Sequence, residues 1–450
     1  MPPTSTRTLP VWAALLAAFA IVFALAAPRL VLWSTAIVLG LGLALALLPP
    51  AATSGVVDGL KQLLDRQRPL LLASAAVALY LLLTVLWAPD RVNGFGKVLL
   101  FAVLVSATAI AAVSYARLSI DRLDQLGRVL LIGLAIGAAF LVFEEATNHA
   151  INSALFNAIP ALRPDARHLQ TDGDIVGGVA AYLSNRNVAM LALLMWPALA
   201  LVQHVLPKPQ VLAVSLLLGI ATLVVAALSA HASSRLALTA GIAMYVIARA
   251  VPRQAIWVAV AGWLTLTLLM VPIATQLYAR GAHLNERVPF SFRARIILWN
   301  YTADQIPRHF WRGVGIDGTK PLDAARKKTW ETRPDHVYPQ RTGEHSHNFY
   351  IQLWYELGAL GVALFSLFGV AVLFAVNRLT PDIRPFGFAA VMTAAGLGAT
   401  SWGIWQPWLM GAYGSSAMLM AFAAVRASKQ AEESAPAKQQ LPEPRAAVTS

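Results

Sequence analysis

The sequence contains no cysteine. Disulfides, thiolate nucleophiles and cysteine-type metal sites are excluded together, while the redox compartment stays open. Charge is also scarce. Only 13% of the 450 residues are charged, against about a quarter in soluble globular domains. Acid is scarcer than base, with 22 Asp and Glu against 35 Lys and Arg, for a net charge of +13. No basic module interleaved with aromatics is present, so the surplus does not point to nucleic acid. It suits cytoplasmic loops together with an anionic ligand or lipid. No internal repeat is visible. What abounds is apolar: 58% of residues are hydrophobic and the mean hydropathy is +0.61. That composition implies an integral membrane protein whose length is spread over many spans.

Crossing the hydrocarbon takes about 20 apolar residues. Twelve segments qualify: 9–26, 30–48, 69–88, 97–115, 126–143, 187–206, 210–229, 235–250, 255–274, 348–376, 385–404 and 407–425. Apolar on all sides and rich in Leu, Ala and Val, they are predicted to be helices. The expectation is an all-α membrane protein with about 12 spans. The first segment lacks a small-residue cleavage site, so no signal peptide is expected. Lys and Arg bias sets the orientation. With the N-terminus inside, the cytoplasmic loops hold Lys61, Arg66 and Arg68, then Arg117, Arg122 and Arg128, then Lys208, then Arg249 and Arg253, then Arg378 and Arg384. The chain then divides into four parts: helices 1–9 over 1–274, a large periplasmic loop over 275–346, helices 10–12 over 347–427, and a disordered cytoplasmic tail over 428–450. Within the loop, "PFSFRARIILWNYTADQIPRHFWRGVGIDG" opens with a helical pattern at Ile296, Trp299 and Asn300, suited to the membrane face, and ends in a turn at Gly313 and Gly315. Trp299, Trp311 and Trp330 suit either an interface or plain packing.

Arginines at the outer edge run against the usual bias and call for a reason. Arg186, in "LSNRNVAML", stands between two amides at a helix start, where a planar donor fork and the helix end both favour a polyoxyanion. Snorkelling or capping is the bland alternative. Arg235, in "SAHASSRLALTAG", has Ser233, Ser234 and His231 beside it. An arginine entering a bundle is costly unless it is paired or faces water. Arg295 precedes Trp299 by one helical turn and shares its face. Arg293 points elsewhere and is the second choice. His347 opens the tenth span, followed by Asn348. Its unperturbed pKa near 6.5 fits a base at neutral pH, and a span mouth gives a hydroxyl access to it. His345 and Glu344 are weaker candidates, Glu344 as an orienting carboxylate. "DGD" at Asp172–Asp174 mimics a metal-binding pair in a Gly-rich loop, yet no metal ligand set is expected. Glu356, roughly 13 Å into its span at 1.5 Å per residue, could pair with a buried arginine and reads as structural.

Arginines hold phosphate oxygens bidentately and stay charged. A cluster of them can bind a diphosphate and stabilise the charge that grows as it departs, with no cofactor. A base alongside can activate an alcohol. The reaction this suggests is displacement of a lipid diphosphate by a hydroxyl in the outer leaflet.

Three blocks carry a resemblance: "SSRLAL" around Arg235, "RIILWNYTADQIPRHFWRGVGIDG" from Arg295, and "HSHNFYIQLWYELGALGVALF" from His345. Their order resembles the O-antigen ligase and polymerase superfamily: a Ser-Arg turn, Arg-x-x-x-Trp then Gly-x-Gly, and His-Asn before Glu-x-Gly-x-x-Gly. They lie within residues 233–365, somewhat over a quarter of the chain. The resemblance implies a metal-independent inverting glycosyltransferase of the GT-C type in the bacterial inner membrane, with its site facing the periplasm. The donor it implies is a glycan on undecaprenyl diphosphate, and the acceptor is lipid A–core. Arg235 and Arg295 would take the family's arginine positions and His347 its histidine position, with Arg186 and Arg293 as further diphosphate ligands. An O-antigen polymerase or a protein O-oligosaccharyltransferase would use the same donor. A transporter would instead place ionisable groups near the bilayer midplane.

Overall fold

Apolar segments with no partner for their backbone except themselves become helices, and every one of the twelve does so. The computed structural model describes residues 9–47 and 52–434. The first half holds α1 (Val11–Ala26), α2 (Val31–Leu47), α3 (Ala52–Arg66), α4 (Arg68–Thr84), α5 (Arg91–Ala116), α6 (Ile120–Ala146), α7 (Ala150–Ala158) and α8 (Asn185–Val205). The second holds α9 (Lys208–Leu228), α10 (Ala232–Ala250), α11 (Ala255–Ala279), α12 (Phe290–Gln305), α13 (Thr319–Ala325), α14 (Phe349–Asn377), α15 (Arg384–Thr400) and α16 (Pro407–Ser434). Among the described residues, eight helices are long and apolar enough to cross a membrane: α4, α5, α6, α8, α9, α11, α14 and α16, some with a short 3₁₀ extension. The helices α1 and α2 are shorter, and α10 and α15 fall outside that set. Both of the last two are rich in small residues and pack closely on each other. Gly396 lies against the Ala237 backbone, and Gly241 against Thr393 and the Ala389 carbonyl, the small-residue contact that lets membrane helices approach.

The centre is α8, whose run from Val188 to Val202 is buried on every side. Around it sit α1, α6, α15 and α16 in one continuous apolar core. Contacts sort the turns into two ends. At one end, Arg426 Nε meets Asp124 at 2.5 Å, His204 meets Asp382 at 2.6 Å, and Arg378 donates to the Arg66 carbonyl. This end gathers the short basic loops, while the long loop 275–346, itself basic, lies at the other. At the other, Asn187 donates to the Leu25 carbonyl and Asn93 to Asp317, and Arg295 reaches Ser233 and Thr400. All the candidate site residues lie at this second end.

Four expectations change. The final helix continues to Ser434, so residues 428–434 are helical rather than disordered, and 435–450 lie outside the described residues. The all-α expectation misses one hairpin, β1 (Leu169–Asp172) paired antiparallel with β2 (Ile175–Val179). "DGD" is its tight turn, with Gly173 at φ +57°, so the local sequence serves a turn rather than a metal. The helix α12 is packed into the bundle rather than resting only on its surface. Its Ile296–Trp299 stretch is buried between α11 and α14, and Trp299 donates to the Ser346 carbonyl at 2.7 Å.

The fourth concerns Glu356, which meets no arginine among the described residues. It is fully buried and accepts from the Asp317 and Thr319 backbone, the Thr319 hydroxyl, Gln352 and Trp405. Two residues later α14 breaks at Gly358, with φ +64°. The break frees backbone groups that pair with the loop: Val314 N–H to Tyr355 O, Gly315 N–H to Glu356 O, and Ala359 N–H to Phe310 O. A Cβ on Gly313, itself at φ +67°, would lie 2.1 Å from the Glu356 carbonyl oxygen. The two glycine motifs are therefore halves of one joint fastening the long loop to α14. Gly313→Ala is expected to cost about 1–2 kcal/mol for the left-handed backbone alone and more for the overlap. A clear fall in Tm in detergent checks this, and an unchanged Tm would contradict it.

Candidate active site

Four pieces of chain converge at the second end: the α9–α10 turn, the start of α12, residues 342–348 leading into α14, and the α15–α16 turn. His347 is held in a left-handed conformation, φ +52°, by the anchored residue after it. Asn348 caps α14, accepting from Tyr350 N–H at 3.0 Å and Ile351 N–H at 3.1 Å, and donates to the Ala399 carbonyl at 2.8 Å. Asn348 is thus a positioning residue, buried and fully engaged.

His347 Nδ1 lies 2.7 Å from the Ser401 carbonyl. A carbonyl only accepts, so Nδ1 carries the proton and Nε2 keeps its lone pair. Burial first, then His345 and Arg295, push the His347 pKa down to about 3, against the opposing Ser401 bond. Its ring meets His345 edge-on with centroids 4.1 Å apart. Burial also lowers His345, helped by the charges of Arg295 and Arg186, and its Nδ1 has no hydrogen-bond partner among the described residues.

Arg295 donates through Nη1 to the Thr400 carbonyl at 2.6 Å and to Ser233 Oγ at 3.3 Å. Burial lowers its pKa, yet a guanidinium remains charged at neutral pH. Arg293 sits on the same short helix with its Nε buried and without a partner among the described residues. Arg186 lies over the Trp408 ring at 5.7 Å, and its Nε is likewise unpartnered. Arg235 points differently. It is exposed and donates to the Ala226 and Ser229 carbonyls at 3.1 and 2.8 Å, closing the C-terminal end of α9. Glu344 is exposed and pairs with Lys320 at 3.8 Å. The structure thus joins His347, His345 and Arg295 closely, leaves Arg186 near His345 and Arg293 on the helix of Arg295, each with an Nε unpartnered among the described residues, and sets Arg235 at the margin. Asp172 and Asp174 stand apart, and the Asp174 carbonyl accepts from Arg163.

Sequence reasoning missed the α15–α16 turn and underrated His231. Ser401 links two histidines: its carbonyl receives His347, and its hydroxyl lies 3.0 Å from His231 Nε2. His231 Nδ1 in turn meets Ser234 Oγ at 2.6 Å, and its ring lies on Trp402. Burial, then Arg295 and Arg235, push the His231 pKa to about 3, so both histidines are neutral. The signal that was available is "SWG" at residues 401–403, which the span 385–404 wrongly absorbed, since α15 ends at Thr400. Gly403 completes it, because a Cβ there would lie 2.7 Å from His345 Cβ. Beside His345 opens a polar cleft of about 170 Å³, lined by Lys97, Asp317, Lys320, Glu344 and Trp405 among others.

Residues 218–366 match the O-antigen ligase family. That stretch contains Arg235, Arg293, Arg295, Gly313, His347 and Glu356. Two curated relatives carry the name "Putative polysaccharide ligase". The Rickettsia prowazekii (strain Madrid E) protein is 24% identical over 286 residues, 62% of this chain and 63% of that one. The Rickettsia felis protein is 23% identical over 288 residues, 63% of this chain and 64% of that one. The chain therefore aligns with slightly under two thirds of the length of either relative.

Proposed function

We propose that this multi-pass membrane protein, a member of the O-antigen ligase family, transfers O-polysaccharide from undecaprenyl diphosphate to lipid A–core at the periplasmic face of the inner membrane. One observation supports this reading above the others. A neutral imidazole with its Nε2 lone pair free stands beside a partly buried arginine at the end of the bundle opposite the short basic loops.

The step is a displacement. The acceptor oxygen forms a bond to the sugar's anomeric carbon as the bond from that carbon to the diphosphate oxygen breaks, with inversion. The acceptor hydroxyl gives its proton to His347 Nε2. The departing lipid diphosphate takes the electron pair. Arg295, with Arg186 and Arg293, stabilises its charge through fixed donors. Arg235 supplies positive potential from the margin and one remaining fork of donors. The cleft beside His345 offers mixed carboxylate, ammonium and indole groups, a lining that suits sugar hydroxyls. The assignment of the outer end to the periplasm and the count of 12 spans, with a GT-C-type fold, belong to the same reading.

Reconstitution tests it. Purified protein in liposomes receives an undecaprenyl-diphosphate glycan and, in separate arms, lipid A–core, a second lipid-linked repeat, or a serine-rich acceptor protein. Lipid A–core bearing polymeric glycan on a gel is the expected product, at a rate that chelator does not change. Extension of the lipid-linked repeat would make the protein a polymerase, and a glycosylated protein would make it an oligosaccharyltransferase. Absence of any covalent product, with glycan moved across the bilayer, would leave a transporter.

A further inference from the structure

Away from the transfer site, the end of α11 and the loop after it bring two imidazoles and a carboxylate together. His283, Asp335 and His336 each offer a ligand atom, and these atoms lie within 4.8 Å of one another. We propose that His283, Asp335 and His336 form a zinc-class divalent cation site that ties the end of α11 to the outer loop.

Three observations carry this. First, both histidines are more than nine-tenths buried, at 5% and 8% exposure, yet Nδ1 of each lacks a hydrogen-bond partner among the described residues. A buried nitrogen lone pair without a donor is costly, and a cation removes that cost. Second, His336 Nε2 lies 3.0 Å from the Tyr278 hydroxyl. With Nε2–H donating there, Nδ1 keeps its lone pair, the arrangement by which an outer partner fixes a metal-binding tautomer. Third, the rings are held by packing. Tyr278 stacks on His283 with centroids 4.1 Å apart and meets His336 edge-on. Packing accounts for where the rings lie but not for an unpartnered buried nitrogen on each of two rings that cluster with a carboxylate.

The donor set selects the ion class. Two imidazoles and a carboxylate suit zinc, which uses such three-residue sets with an open fourth position, whereas magnesium prefers oxygen ligands. Tetrahedral zinc at about 2.0–2.2 Å from its ligands needs donors about 3.4 Å apart. From separations of at most 4.8 Å, closing to that spacing takes a shift of about 1 Å, to which the exposed Asp335 contributes on its own side of the site. The site would tie the chain just after α11 to the chain between α13 and α14 without entering the transfer chemistry, and it does not depend on the proposed reaction.

The test uses the full chain in detergent, stripped with chelator and dialysed against zinc chloride, with magnesium chloride in parallel. Bound zinc is read by elemental analysis and stability by Tm. Expected are one zinc per chain and a higher Tm with zinc but not with magnesium. Asp335→Asn, at an exposed position, is expected to leave the metal-free Tm unchanged and weaken zinc binding at least about tenfold, since even outer partners of metal ligands are worth about 10–100-fold. His283→Gln combined with His336→Gln is expected to abolish the zinc-dependent rise. No saturable zinc binding to the wild type, an equal effect of magnesium, or unaltered zinc affinity in Asp335→Asn would each overturn the proposal.

Discussion

Transfer by a His347→Ala variant is expected to fall by about 10²–10⁴-fold, the usual worth of a positioned general base. Alanine also disturbs a residue at φ +52°, so the sharper variant is His347→Asn. Asparagine tolerates the left-handed conformation and its amide can still donate to the Ser401 carbonyl. What it lacks is a lone pair where Nε2 stands. A purified His347→Asn protein with wild-type Tm and a rate down by the same order isolates the base. One that transfers at full rate would sink the assignment. The pH dependence has a definite sign. Burial holds His347 near 3 rather than 6.5, so Nε2 stays unprotonated through neutral pH. The acid limb of kcat/KM, which reports the free enzyme, is therefore expected well below 6.5 and not at it. The same depression acts on stability. Between 6.5 and about 3 the unfolded chain binds protons that folded His347 and His231 refuse. Their contribution is complete above 6.5 and is lost as pH falls toward 3. A Tm series descending from about pH 7 to about pH 4 should fall, and less steeply in His347→Asn.

How much of this could be read from the chain alone depends on the distance over which each fact is encoded. Helices were legible because hydropathy is local: each of the twelve apolar segments needs no distant partner to choose its backbone. The ordering of Arg235, Arg295 and His347 was legible as a pattern of types. The directions of their side chains were not. Arg235 turned to the carbonyls of the preceding helix, a few residues away, because α9 ends there with acceptors unsatisfied. Glu356 reads from the sequence as structural, a carboxylate that could pair with a buried arginine. It found backbone N–H groups and a tryptophan instead, because the glycine break at Gly358 opens space for the 313–319 loop. Ser401, joining His347 to His231, lies 54 residues from one and 170 from the other. No periodicity spans such intervals.

Arg295 is the second residue whose loss is expected to be severe. It is the arginine in the cluster that is both partly buried and directly engaged with the turn that holds His347, through Thr400, next to Ser401. A charge in that position is screened less than one at the surface, and it needs no reorganisation as diphosphate charge develops. Removing one such fixed donor commonly costs about 10²–10³ in kcat, and Arg295→Ala is expected to fall in that range. A merely structural role predicts something else. Arg295 also staples α12 to α10 and α15 through Ser233 and Thr400, so an inert staple would show in Tm and not in ligand affinity. Arg295→Lys separates the two. Lysine keeps the charge and can donate to the Thr400 carbonyl, but it has no planar fork for two phosphate oxygens. Expected are a near-normal Tm, a kcat still down by at least about tenfold, and weaker competition by inorganic diphosphate in the transfer assay. Full activity in Arg295→Lys would leave a point charge sufficient and return the bidentate role to Arg186 or Arg293, whose Nε atoms are the unpartnered donors nearby.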